Sequence, residues 1–145
     1  QASAVSHELQ ATNLNGSGLR DSLRMLAQEL ATPCEVVCDA AVALPAATAL
    51  SLLRIAEEAV RNAVRHAAAQ KITISLRAGP AALTLEIRDD GQGFTPAPTP
   101  APKLSGLGLM RRHARAAHAR LRLHSAPGQG TVVSCSIPRA RAPQA

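Results

Sequence analysis

Residues 54–67 read RIAEEAVRNAVRHA and form the centre of a long helix that the sequence predicts from about Ala46 to Ala69. Apolar side chains recur at helical spacing and would bury one face of this helix: Leu53, Ala56, Val60, Ala63, Val64 and Ala67. At about 100° per residue, the opposite side gathers polar side chains: Glu58, Asn62, Arg65 and His66. This pattern fits either an ordinary solvated face or a site built from two oxygen-bearing groups and two potential cations.

Asn62 favours the second interpretation. Asparagine is a poor helix former, yet this one is expected in the middle of the helix. Its amide oxygen could complete the octahedral shell of Mg²⁺, whose other ligands would be water and phosphate oxygens. The helix is therefore a candidate wall of a metal-phosphate site.

The sequence DDGQG, residues 89–93, follows a predicted antiparallel hairpin with strands at Lys71 to Arg77 and Leu83 to Arg88. A carboxylate at a strand end, followed by two glycines that allow close backbone approach, suits a planar ligand with an amino group, such as adenine. A plain Asp-Gly turn is the alternative. Calcium binding is not expected, because the run of oxygen ligands and the terminal glutamate are missing.

The sequence GLGL, residues 106–109, opens a helix predicted from Leu107 to Ala119. The free N–H groups at a helix N-terminus bind anions, and glycines let phosphates approach them. Neither a Rossmann fingerprint nor a Walker loop is present, and the motif alone could be a simple helix entry. The preceding TPAPTPAPK, residues 95–103, contains four prolines and predicts an exposed, mobile loop.

The remaining elements predict the fold class. Helical periodicity spans Gly18 to Ala31, and strand patterns cover Glu35 to Cys38, Leu121 to His124 and Thr131 to Ile137. This order predicts an α/β (α+β) two-layer sandwich, with helices on one face of a mixed sheet and solvent on the other. Residues 1–17 are interpreted as a linker remnant, residues 18–138 as one domain, and residues 139–145 as a disordered tail.

Composition narrows the function. The 145 residues are 46% hydrophobic, enough for one compact domain, and contain no apolar run long enough for a membrane span and no signal peptide. We therefore expect a soluble, cytoplasmic domain. The three cysteines lack a zinc-binding spacing and are expected to be small core residues. The net charge of +6 could suggest nucleic acid, but Phe94 is the sole aromatic residue and leaves almost nothing for base stacking. The charge suits instead a polyphosphate ligand and an acidic partner.

Taken together, the motifs resemble the GHKL ATPase superfamily over about Gly18 to Pro138. Residues 54–67 are similar to the N box of histidine kinases that pair with LuxR/NarL-type response regulators. GLGLMRRH at 106–113 is similar to their second glycine box, and SAPGQGT at 125–131 to their last turn. The resemblance implies a Bergerat-type fold with a mostly antiparallel sheet. Arg112 and His113 replace the usual Glu and Arg, which leaves the role of that helix in partner contact open.

The resemblance also implies residue roles. Asn62 would ligate Mg²⁺, Glu58 would polarise the attacking nucleophile, and Asp89 would accept a hydrogen bond from the adenine amino group. Gly91 and Gly93 would shape the pocket, with Thr131 supporting the base through water. Phosphate contacts would come from the second glycine box: Gly106, Leu107, Gly108 and Leu109. Arg65 and His66 would lie on the phosphate or ribose side, and residues 95–105 would form the ATP lid, with Lys103 either a phosphate contact or a solvated lysine.

The implied function is Mg²⁺-ATP binding and transfer of the γ-phosphoryl group to a histidine on dimerisation helices outside this chain, for relay to a response regulator. His7, in SHEL at residues 6–9, is not the expected acceptor, because no pair of long amphipathic helices separates it from Asn62. An anti-sigma-factor-type serine kinase and a degenerate regulatory binding module are the alternatives. We expect no membrane contact by this domain, and anchoring of its parent kinase in the inner membrane stays open.

Overall fold

The computed structural model describes residues 17–39, 44–94 and 106–138. Its helices are α1 (Ser17–Gln28), α2 (Ala46–Arg65) and α3 (Gly106–Ala116). Its strands are β1 (Cys34–Cys38), β2 (Ile72–Ala78), β3 (Ala82–Asp89), β4 (Arg120–Ser125) and β5 (Thr131–Pro138). Helix α1 therefore begins at the last residue of the predicted linker. The rest of that linker with His7, the predicted lid with Lys103, and the predicted tail lie outside the described residues.

The five strands form one mixed sheet in the order β1-β2-β3-β5-β4. Strand β1 runs parallel to β2, and the other three pairings are antiparallel. Alternating apolar residues of β2 and β3 point to the core, among them Ile74 paired with Ile87. All three helices pack on this apolar face and share its core cluster. The predicted two-layer sandwich, with helices on one face of a mostly antiparallel sheet, is confirmed.

Helix α2 lies at the centre of the core. Its buried residues are Ala49, Leu52, Leu53, Ile55, Ala56, Glu58, Ala59, Val60 and Ala63. One sequence prediction for this helix is wrong. Val64 was expected in the apolar face but is 44% exposed, because it lies beside the open groove between α1 and α2. Glu58, for which a solvated face and a built site were both open, is buried, because α3 packs against α2 there.

Helices α2 and α3 both end earlier than predicted. Ala68 follows α2 with φ 51°, and His118 follows α3 with φ 53°. Such left-handed residues stop a helix and are usually glycine or asparagine. The stops were therefore not visible in the sequence. Beyond α2, the Ala69 N–H bonds back to the Ala63 carbonyl, so the chain turns sharply towards β2.

No helix in the described part of the chain is long and apolar enough to span a membrane. The cysteines are free, and their positions agree with the expected packing role. Cys135 in β5 is fully buried, whereas Cys34 and Cys38 at the ends of β1 are half-buried. Burial raises the pKa of the Cys135 thiol to about 11.

Candidate functional site

A cavity of about 280 Å³ opens between α2, α3 and the neighbouring ends of β3, β4 and β5. Its volume lies near the lower end of the range of small-molecule pockets. Six of the predicted site residues line it: Asn62, His66, Asp89, Gly93, Leu107 and Thr131. Apolar side chains make up most of the remaining wall: Ala59, Met110, Leu123 and Val133 among them. The cavity thus combines an apolar body with a few converging polar groups, as ligand sites do.

Asp89 is the buried carboxylate of this cavity. It ends β3 directly opposite Thr131, the first residue of β5. Its Oδ1 accepts a hydrogen bond of 2.8 Å from the Gly91 N–H. Burial raises the pKa of the Asp89 carboxyl, and the hydrogen bonds from the Gly91 and Thr131 backbones partly oppose that shift. Asp89 can therefore accept a hydrogen bond from a ligand in a wall that excludes water.

Asp90 has the opposite environment. Its exposed carboxylate accepts hydrogen bonds from the backbone N–H groups of Gln70, at 2.8 Å, and Lys71, at 2.9 Å. These two bonds hold the pKa of Asp90 below its usual range. Asp90 thus holds the end of β3 against the segment before β2. Asp89, and not Asp90, lines the cavity.

Gly91 and Gly93 are required by packing. A Cβ on Gly91 would overlap the Ala67 carbonyl, which accepts a hydrogen bond of 2.7 Å from the Gln92 N–H. Gly93 has φ 67°, and a Cβ there would overlap the Ala126 carbonyl. Gly93 lines the cavity directly, whereas Gly91 shapes it from behind.

Glu58, Asn62 and Gly106 meet where α2 faces the N-terminus of α3. A Cβ on Gly106 would lie 2.9 Å from Glu58 Oε2 and 3.2 Å from both terminal atoms of the Asn62 amide. Arg61, one turn along α2, forms an ion pair with Glu58 Oε1. One carboxylate oxygen of Glu58 is therefore held by a cation, while the other faces the start of α3. Two hard oxygen ligands, from Glu58 and Asn62, lie near one helix N-terminus.

The structure separates Arg65 from His66. His66 lines the cavity, but Arg65 lies with Leu26, Leu30 and Val64 in the groove between α1 and α2. The helical projection put Arg65 and His66 on the same side of α2 because they are adjacent in the sequence. It could not show that α1 packs beside α2 and gives the side of Arg65 a different environment.

The four residues of the second glycine box, Gly106 to Leu109, do not all lie at the cavity. Leu107 lines the cavity together with Met110, which is almost fully buried. Gly108 and Leu109 are half-buried in the first turn of α3 and are not part of the cavity wall. Gly106 faces Glu58 and Asn62, as described above. The turn therefore offers its N-terminus to the site mainly through Gly106 and Leu107.

His113, one of the two departures from the expected glycine box, is half-buried on α3. Burial lowers the pKa of His113, and the nearby cations Arg54 and Arg112 lower it further, whereas Glu57 and Glu58 oppose the shift. Arg112 itself is exposed. The two departures thus lie in different environments, with His113 within electrostatic range of Glu58.

Ser125 is a residue whose role sequence reasoning missed. Its hydroxyl accepts a hydrogen bond of 2.8 Å from the Phe94 N–H and lies 2.8 Å from Thr131 Oγ1 and 3.2 Å from the Gly130 carbonyl. The signal was present in β4, where Leu121, Leu123 and Ser125 occupy successive inward positions of the strand pattern. A polar residue at the last inward position of an otherwise apolar series suggests that its side chain makes a hydrogen bond inside the fold.

Among the described residues, no group of three or more His, Cys, Asp or Glu side chains could by itself hold a metal ion. The oxygen ligands that Mg²⁺ prefers are present at the α2–α3 junction in Glu58 and Asn62. Magnesium commonly takes one or two protein oxygens and completes its shell with phosphates and water. The residues present fit that form of binding.

Comparison with known proteins identifies the relatives of this chain. Residues 47–141 match the family model described as histidine kinase-, DNA gyrase B-, and HSP90-like ATPase. The chain is 32% identical over 141 residues to the sensor histidine kinase MctS of Rhizobium johnstonii, covering 93% of this chain and 31% of that protein. It is 34% identical over 123 residues to the nitrate/nitrite sensor protein NarQ of Escherichia coli, covering 83% of this chain and 22% of that protein. The chain thus spans a third or less of either relative.

Solved structures show the same fold. The histidine kinase domain from the Erythrobacter litoralis EL346 blue-light activated histidine kinase aligns with a TM-score of 0.66 at 23% identity, covering 85% of this chain and 60% of that one. The mycobacterial sensor histidine kinase MprB aligns with a TM-score of 0.60 at 19% identity, covering 83% of this chain and 91% of that one.

Proposed function

Because this chain belongs to the histidine kinase-, DNA gyrase B-, and HSP90-like ATPase family and is a catalytic domain of the sensor-histidine-kinase type, we propose that it binds Mg²⁺-ATP. Within its parent kinase it would donate the γ-phosphoryl group to a histidine on dimerisation helices, for relay to a LuxR/NarL-type response regulator. The observation that carries this proposal is the convergence of Asp89, Asn62 and the N-terminus of α3 on one cavity.

The base would occupy the apolar part of the cavity. Asp89 would accept a hydrogen bond from its amino group, with Thr131 beside it acting through water. Leu107, Leu123 and Met110 would exclude solvent around the ring. Exclusion of water strengthens the polar contact to Asp89, because hydrogen bonds are electrostatically stronger where the dielectric is low.

The phosphates would lie towards α3. The N–H groups at the start of this helix and its positive dipole end favour an anion there. We assign phosphate contact to the turn of Gly106, Leu107, Gly108 and Leu109, and a contact on the phosphate or ribose side to His66. The placement of Arg65 in the α1–α2 groove does not support its expected contact.

Asn62 would hold Mg²⁺ through its amide oxygen, together with phosphate oxygens and water. The metal, when bound, supplies charge neutralisation on the phosphates. Glu58 Oε2, close to Gly106, would orient and polarise the attacking group of the acceptor. The contribution of this chain is then to position and screen the donor, which accounts for much of the catalysis in phosphoryl transfer.

The acceptor distinguishes the candidate functions. The N-box residues 54–67 favour histidine as the acceptor, whereas a serine kinase would use the same donor site. A regulatory module that no longer uses ATP would need no close approach of Gly106 to Glu58 and Asn62. We propose that this domain is cytoplasmic and contacts neither nucleic acid nor a membrane.

Calorimetric titration with ATP, with and without Mg²⁺, tests the donor site. We expect Asp89→Asn to abolish detectable binding, because an amide presents a donor as well as an acceptor to the base. Glu86→Gln, at a half-buried position of the same strand outside the cavity, is the matched control and should bind like the wild type. Unchanged ATP affinity in Asp89→Asn would refute the pocket assignment.

Transfer from labelled ATP to the parent kinase's histidine-bearing domain tests the acceptor. Phosphohistidine is labile in acid and phosphoserine is stable, so an acid-stable product would favour the serine kinase. Intact ATP binding with no transfer in the full parent kinase would favour the regulatory module.

A further inference from the structure

The sheet face opposite the helices bears a second cleft, of about 740 Å³. It lies over the first residues of β3 and β4 and the last residues of β5, whereas the cavity of Asp89 lies at the other ends of these strands, on the helix side. Hydroxyl and basic side chains form its polar lining: Thr84, Ser134, Ser136, His118, Arg120 and Arg122. Within the described part of the chain, no acidic side chain lines this cleft, which we call the basic cleft.

The charges of Arg120 and Arg122 are not neutralised within the described residues. Both side chains are exposed, and neither forms an ion pair there. Arg122 pairs in register with Ser134, which pairs on its other side with Glu86. Glu86 already forms an ion pair of 3.2 Å with Arg88. The two arginines are therefore available to an anionic partner.

Strand β4 is also an edge strand. It is last in the sheet order and, among the described strands, pairs only with β5. In an antiparallel ladder the backbone groups of alternate residues point away from the neighbouring strand, so the open edge of β4 offers N–H and C=O groups for pairing. Between the arginines, Leu121 and Leu123 point to the other face and are only half-buried. The edge thus alternates cations with incompletely covered leucines.

This alternation distinguishes the possible occupants. Arg120 and Arg122 are two residues apart on one face of a strand, which is about 7 Å. An extended peptide with an acid at every second residue has the same repeat, so each arginine can meet one carboxylate across the strand pair. Apolar side chains between the acids would cover Leu121 and Leu123.

Two other occupants fit less well. A second copy of β4 would place cationic side chains opposite one another, which is destabilising. A nucleic acid would leave the two leucines uncovered and would offer no peptide backbone to the open edge. The pattern therefore favours an acidic strand.

We propose that the basic cleft and the open edge of β4 bind an extended acidic segment of a partner protein, which adds to the sheet beside β4 with its carboxylates towards Arg120 and Arg122. In strand addition, main-chain hydrogen bonds supply affinity and alternate side chains supply specificity. This interaction does not depend on nucleotide binding, because the basic cleft and the cavity of Asp89 lie on opposite faces and at opposite ends of the sheet.

Fluorescence anisotropy with the 145-residue chain and a labelled, end-capped octapeptide of alternating glutamate and valine tests the proposal. We expect saturable binding that weakens as salt is added, because exposed charges are screened. Arg120→Gln/Arg122→Gln should lower the affinity about tenfold, the effect of two exposed ion pairs. Arg111→Gln/Arg115→Gln, which removes the same charge from exposed positions of α3, is the matched control and should bind like the wild type.

Two further measurements test the geometry. An octapeptide with all its glutamates in one block has the same composition but should bind more weakly, because glutamates would then face Leu121 and Leu123. Saturating ADP, and separately Asp89→Asn, should leave the affinity for the alternating peptide unchanged.

Absence of peptide binding by the wild type, or equal binding by Arg120→Gln/Arg122→Gln, overturns this inference and leaves the proposed function standing. Self-association of that variant with unchanged peptide affinity overturns it too, because the arginines would then only keep other copies from the edge. Competition by ADP, or tighter arginine-dependent binding to duplex DNA or phosphatidylserine vesicles than to the peptide, would also overturn it.

Discussion

Glu58 and Gly106 lie so close across the α2–α3 junction that a single methyl group on Gly106 would come within 2.9 Å of Glu58 Oε2. The same methyl group would lie 3.2 Å from the Asn62 amide. The absence of a side chain at residue 106 is therefore what allows α3 to begin beside the two oxygen-bearing groups of the proposed metal-phosphate site.

Gly106→Ala should weaken Mg²⁺-dependent ATP binding by about tenfold or more, because Glu58 and Asn62 must shift and small misplacements of positioning groups are costly. Binding measured without Mg²⁺ should change less. Gly79→Ala, in the β2–β3 turn where a Cβ makes only ordinary contact, is the control. Equal titration curves for Gly106→Ala and the wild type would contradict the assignment of this junction.

Asp89→Asn should stabilise the ligand-free protein at neutral pH while abolishing nucleotide binding. Burial raises the pKa of Asp89 in the folded state, so folding favours the protonated form. Relative to Asp89→Asn, the wild type should lose free energy of unfolding as pH rises from about 4, the ordinary value, through the raised pKa. Urea unfolding across pH measures this, and a difference between the two proteins that does not vary with pH would contradict it.

Asp90→Ala should show the opposite pH dependence. The backbone N–H groups of Lys71 and Gln70 lower the pKa of Asp90 in the folded state. Its contribution to stability is therefore present above the unfolded pKa of about 3.9 and is lost as pH falls through the folded value. Urea midpoints of Asp90→Ala and wild type should differ at pH 7 and converge in acid. Asp21→Ala, at an exposed position of α1, is the control.

Cys135 should react with a thiol reagent far more slowly than Cys34 and Cys38. Burial raises its pKa to about 11, so little thiolate exists near neutral pH, and the core also blocks access. Labelling at pH 8 should therefore modify two cysteines in the native protein and three in urea. Cys135→Ala should leave the native labelling unchanged, and a fast third labelling step in the folded wild type would contradict the burial.

Regular patterns made much of the fold predictable. The strict alternation in β2 and β3 predicted a hairpin with one buried face, and the observed strands Ile72–Ala78 and Ala82–Asp89 confirm it. The helix ends were less predictable, because Ala68 and His118 adopt a left-handed conformation that their side chains do not favour. A local sequence pattern shows whether a segment is a helix or a strand and which of its faces is buried. The residue at which a helix ends depends also on contacts made elsewhere in the fold.

The positions of the site residues were easier to predict within a single motif than at the places where two helices pack together. Asp89 and Thr131 meet because the β3–β5 ladder pairs them. The strand patterns did not specify that pairing, and only the family resemblance had put both residues beside the base. Arg65 was misplaced because a projection of one helix omits its neighbours, here α1 beside Arg65. The same projection could not decide whether Glu58 was solvated or covered by α3. The hydrogen bonds of Ser125 to Phe94 and Gly130 depend on how the chain folds back, which sequence spacing does not specify.

The turn after α2 gives this helix a second role. Asn62 faces the start of α3, and the Ala67 carbonyl, five residues later, holds Gln92 behind the pocket of Asp89. The short segment from Asn62 to Ala67 therefore sets the spacing between the two halves of the cavity. Because α2 ends at Arg65 within this segment, insertion of one residue there would leave each half of the cavity intact but change the distance between them.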